Sequence, residues 1–142
     1  MILTELSLGD GFAALNRGDL ATAGEACKQA LAANQKHVPA HFLVGLVALE
    51  GKQRQVAHEA FKSVVTLDRD HAAAWAHLAK LNVGEGRIAA AESALREVRR
   101  IQPSDPMVIE LTGTVLNSLG EYEAAELFFE RAHQMVPQSP SA

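Results

Sequence analysis

The feature that most constrains this chain is a 34-residue repeat that runs without insertion or deletion. Ala23, Ala57, Ala91 and Ala125 stand one period apart, as do Gly18, Lys52, Gly86 and Gly120. Cys27, Phe61, Leu95 and Phe129 form a third set, and Gly11, Gly45, Ala79 and Gly113 a fourth. Pro103 is answered one period later by Pro137. A fixed period of this size marks stacked supersecondary units that each bury an apolar face against a neighbour. The units are Thr4–His37, Val38–His71, Ala72–Asp105 and Pro106–Ser139, with a short tail over 140–142, and together they make a single domain of residues 1–142.

Each unit reads as two short helices. In the third, AAAWAHLAKLNVGEG ends in glycines that stop a helix. The following RIAAAESALREVRRIQ runs until Pro103 blocks continuation. A helix of about 12 residues is only ~18 Å long and marginal by itself, so stacking has to supply the stability. Composition agrees: the chain is 48% apolar but only 5% aromatic, and much of the apolar share is alanine. Alanine has the highest helix propensity and lets helix axes approach, which favours packed helices over a sheet.

The pattern resembles the tetratricopeptide repeat (TPR) family, over residues 4 to 139. The third unit carries Trp75, Leu78, Ala91 and Pro103, and the fourth Gly113, Ala125, Phe129, Ala132 and Pro137. The first two match less fully, with Gly11, Ala23 and Ala30, then Gly45, Ala57 and Phe61. Gln35 and Arg69 replace their prolines, and Ser7 and His41 stand at the tryptophan position. The resemblance implies an all-α fold, a right-handed α-solenoid of four antiparallel helix pairs. It also implies a concave face, lined by the first helix of each pair, that binds peptide segments.

Carried onto this sequence, the family's groove positions are Leu8, Phe12, Phe42, Leu46 and Leu49 in the first half. His77, Lys80, Met107 and Leu111 follow in the second. The face is apolar toward the N-terminus and more polar beyond. Chaperone-binding members of the family grip a terminal carboxylate with Lys, Asn and Arg. The matching residues here are Leu8, Phe12, Leu43, Ala73 and His77, or, one repeat on, Phe42, Leu46, His77, Met107 and Leu111. Neither set offers the cationic groups a buried carboxylate needs. The expected partner is therefore a protein or peptide with apolar anchors, such as an amphipathic helix. A slip of one helical position would instead turn Leu46 and Leu49 into interior, so both readings stand for them.

No other chemistry competes. The net charge of -4 and pI near 5.8 argue against nucleic acid. The longest apolar run, Phe42 to Leu49, is too short to span a bilayer, so no membrane insertion is expected. MILTELSLGD has no Lys or Arg ahead of an apolar stretch and does not read as a signal peptide, which leaves a cytoplasmic location. Six histidines fall outside any metal-ligand spacing. His37 and His71, one period apart, suggest a structural role between repeats. Cys27, the single cysteine, reads as a small core residue. Arg96, Arg99 and Arg100 read as a solvated outer face. No phosphate loop, nucleophile elbow or triad is present, so the chain is not read as an enzyme and no cofactor is expected.

The expected function is a bacterial-style adaptor or scaffold. The alternative is the regulatory or substrate-positioning arm of a larger bacterial enzyme, such as a glycosyltransferase or sulfotransferase. Homo-oligomerisation through uncapped ends is a third expectation. It arises from the last helix, GEYEAAELFFERAHQMVP, which no polar capping helix follows. Phe129 is expected to be buried against its own first helix, and Phe128 and Met135 to be partly exposed at this terminal edge.

Overall fold

A computed structural model describes residues 6–135. Eight helices follow in order: α1 Leu8–Asn16, α2 Leu20–Ala33, α3 Val38–Glu50, α4 Arg54–Leu67, α5 Ala72–Gly84, α6 Ile88–Ile101, α7 Pro106–Ser118 and α8 Tyr122–Met135. No strand occurs among the described residues. The three later first helices begin at Val38, Ala72 and Pro106, which are the first residues of their repeats.

The same stop ends every first helix. Gly18, Lys52, Gly86 and Gly120 all take positive φ, at 78°, 59°, 77° and 81°. The amide that follows each one donates back to Ala14, Ala48, Asn82 or Leu116, at 2.8, 2.8, 2.8 and 3.0 Å. These bonds satisfy carbonyls that a helix end would otherwise leave orphaned. Lys52 pays a steric cost in this conformation that the three glycines avoid.

The starts repeat too. The Nδ1 atoms of His37 and His71 accept from the amides of Ala40 and Ala74, each at 3.2 Å, and Asp105 caps α7 through Met107 at 2.9 Å. The structural role expected of the two histidines is therefore helix capping. Repeat one departs from this register. Its first helix begins at Leu8 because Ser7 and Asp10 form a capping box: Ser7 Oγ accepts from the Asp10 amide at 3.0 Å, and Asp10 Oδ2 from the Ser7 amide at 2.9 Å.

The chain divides into two compact units, residues 1–69 and 70–142. In the first, α1 pairs with α2 and α3 with α4, and α3 packs on α2 and more lightly on α1. Leu43, fully buried, seals that junction, since a Cβ added to Gly11 would lie 2.7 Å from its Cδ2 and 2.8 Å from Ala26. In the second unit, α5 pairs with α6 and α7 with α8, and α7 packs on α5. The small Ala72 and Ala76 let α7 in, where Val108 and Leu111 meet them together with Val98 and Ile101. Within the pairs, Ala23, Ala57, Ala91 and Ala125 are all buried, as the meeting points of two helix axes require.

Candidate functional site

Two apolar stripes share one register in the first unit. On α1, Leu8, Phe12 and Leu15 stand at i, i+4 and i+7; on α3, Phe42, Leu46 and Leu49 occupy the same positions one repeat later. All six are half-buried. Phe42 meets Phe61 of α4 edge to face, with centroids 5.6 Å apart and planes at 61°. Its body is thus packing, although the residue as a whole stays only half-buried.

The aligned stripes of the second unit are different. Ala76, Lys80 and Val83 follow on α5, and Glu110, Thr114 and Asn117 on α7. Lys80 is exposed, and Met107 is 78% exposed beside this stripe. Leu111 does not stand free: it packs against the cluster of Ala72, Ala76, Val98 and Val108. His77 is half-buried, and burial, with Lys80 and His71 adding to it, pushes its pKa down to about 4. It is a neutral imidazole at physiological pH.

At the end of the second unit, Phe128 and Met135 are both half-buried. The expectation that Phe129 is buried does not hold. Its ring does lie on α7, where a Cβ on Gly113 would come within 2.9 Å, but the residue is 37% exposed. Phe61, two periods earlier, is fully buried. The difference follows from one position: Phe42 covers the edge of Phe61, and the residue aligned with Phe42 in the fourth repeat is Glu110. A carboxylate held toward water cannot roof an aromatic ring. Phe129 consequently lines an open cleft with Pro106, Met107, Glu110, Ala132 and His133. The signal was present in the alignment, in an exposed first-helix residue rather than in the core position itself.

The eight helices of the described residues keep a strict 34-residue register. Residues 48–113 match the family model described as tetratricopeptide repeat. That stretch of the chain carries tetratricopeptide repeats. Solved structures agree with its TPR fold. "Crystal structure of MamA" is 20% identical with a TM-score of 0.68, covering 90% of this chain and 75% of that one. "Crystal structure of MamA protein" is 18% identical with a TM-score of 0.68, covering 94% and 77%. No curated protein sequence matches the chain.

The remaining chemistry of the TPR units is structural. Cys27 is buried at the position that Phe61, Leu95 and Phe129 hold in the later repeats, and burial raises its thiol pKa to about 11. Arg100 pairs with Glu97 at 2.6 Å and Asp70 at 2.9 Å, on an exposed face as the arginine run implied. Arg96 donates to Ser93 at 2.9 Å. Among the described residues, no three His, Cys, Asp or Glu side chains group as metal ligands, and no helix is long and apolar enough to cross a membrane.

Proposed function

We propose that this TPR protein is a non-catalytic interaction module whose groove takes an apolar peptide or amphipathic helix along α1 and α3. One observation carries the reading. Two helices that pack in one unit present Leu8–Phe12–Leu15 and Phe42–Leu46–Leu49 in identical register, with each residue only half-buried. Adjacent aliphatic and aromatic side chains spaced in this way suit partner anchors at helical spacing. In the second unit by itself, His77, Lys80 and Met107 give the first-helix surface a more polar character.

The test is titration of a labelled amphipathic helical peptide with leucine anchors against the full chain and its variants. Phe12→Ser is the cleaner probe, because Phe42 also roofs Phe61 and its loss costs stability. Phe12→Ser is expected to weaken binding at least tenfold while leaving the unfolding midpoint within a few degrees. Loss of folding with Phe12→Ser, or unchanged binding, would sink the proposal.

The terminal edge favours a second surface. One repeat earlier, the cleft of Ala72, Ala76 and Val98 receives Val108 and Leu111 of the next helix. The aligned cleft of Pro106, Glu110 and Ala132 stands open beside Phe128, Phe129 and Met135. A second copy filling it would produce a homo-oligomer, measurable as a rise in mass by light scattering across a concentration series. A strict monomer at high concentration removes this reading.

A further inference from the structure

Away from the first-helix stripes, a cavity of about 250 Å³ opens between α2 and α4 over a floor of α3. Its interior is apolar, with Cys27 and Leu31 on one wall, Val44 and Val47 beneath, and Val56 on the other wall, 46% exposed. Lys28 is the one charged group among the described residues that line it.

The internal repeat explains why the cavity exists. The residues of α6 aligned with Gly24, Cys27 and Leu31 are Glu92, Leu95 and Arg99. Leu95 is buried at its site, whereas the shorter Cys27, also buried, lines the cavity. Gly24 lowers the wall further. It lies inside a helix, its φ is not positive, and a Cβ built on it would meet nothing within 4 Å. Neither backbone conformation nor crowding within the fold demands a glycine, although glycine weakens a helix relative to alanine. A mid-helix glycine beside an apolar hollow allows a ligand to approach the backbone.

We propose that this cavity binds a medium-chain monocarboxylate, with the alkyl chain over Gly24 and Cys27 and the carboxylate paired to Lys28. Size selects the chain: at about 30 Å³ per water-sized group, the volume takes about eight methylene-sized groups. Charge selects the head group, because among the described residues the one ion on the lining is a cation. The walls belong to three helices of one unit, so the site needs no second chain.

Calorimetric titration of the full chain with straight-chain carboxylates tests the proposal. Affinity is expected to rise about fourfold per methylene from butanoate to octanoate, and then to level off at dodecanoate once the cavity is full. Lys28→Gln should weaken octanoate roughly three- to fivefold and leave 1-octanol unchanged. Gly24→Leu extends into open space and should abolish binding of both with folding retained. Cys27→Phe, which installs the ring found at this position in repeats two and four, should do the same. Phe12→Ser should leave octanoate binding intact, which separates this cavity from the peptide surface. Failure of wild type to saturate with octanoate overturns the proposal, as does affinity that keeps climbing through dodecanoate. Octanoate binding that survives Gly24→Leu overturns it equally.

Discussion

Phe61 and Phe129 occupy the same position in repeats two and four, each lying on a glycine of its own first helix, yet one is fully buried and the other 37% exposed. The core position is identical; the neighbour is not. Phe42 closes over Phe61, while Glu110 stands in its place beside Phe129. The same exchange turns the apolar first-helix stripe of the N-terminal unit into the polar stripe of the C-terminal one. A repeat protein thus cannot alter the chemistry of its exposed face without altering the cover of its core, because the two share a side chain.

The largest expected effect separates the rings directly. Phe61→Ala should destabilise its unit by about 3–5 kcal/mol, the range for a fully buried aromatic, whereas Phe129→Ala should cost roughly 2 kcal/mol, because 37% of that residue is already exposed. Urea titration of both variants checks this, and equal losses would break the comparison.

His77 gives the second unit a pH response that Leu43 cannot give the first. Its folded pKa of about 4 lies below the ordinary 6.5, so the unfolded chain binds the extra proton between those values. Stability should be flat above pH 6.5 and fall as pH drops toward 4, by up to about 3 kcal/mol at roughly 1.4 kcal/mol per unit. His77→Leu should remove that part of the slope in denaturant midpoints measured from pH 7.5 to 4.

Gly45→Ala and Gly113→Ala sharpen the contrast. The new Cβ meets the Phe61 ring at 2.6 Å and the Phe129 ring at 2.9 Å. Phe61 has nowhere to go, so Gly45→Ala should cost about 1–3 kcal/mol. Phe129 can swing toward solvent, and thermal unfolding should register less than half that loss for Gly113→Ala. Glu110→Phe should recreate the missing roof and stabilise the fourth repeat by about 1 kcal/mol. Smallest of all, Lys52→Gly should relieve the only positive-φ side chain at the four matched helix stops, raising stability by roughly 0.5–1 kcal/mol.

Much of this was legible in the chain because the repeat converts sequence position into spatial position. Ala91 and its three counterparts had to be small, since helix axes meet there, and the glycines at 18, 86 and 120 had to end helices. These are local requirements of backbone and contact distance, and each residue carries its own signal. The register of the first-helix stripes was legible for the same reason, but their degree of burial was not. Leu43 and Leu46 differ by three residues and by one face of a helix, and only the packing of α3 on α2 makes the first fully buried and leaves the second half-buried.

The sequence by itself determined the eight helices, their pairing, and the positions at which pairs touch. Period, propensity and punctuation all act within one repeat of where they are read. Tertiary structure decided what covers what: the exposure of Phe129, the seal at Leu43, and the hollow left by Gly24 and Cys27. Burial belongs to the neighbours of a residue rather than to the residue itself. Those neighbours come from other helices, at distances that composition and pattern cannot measure.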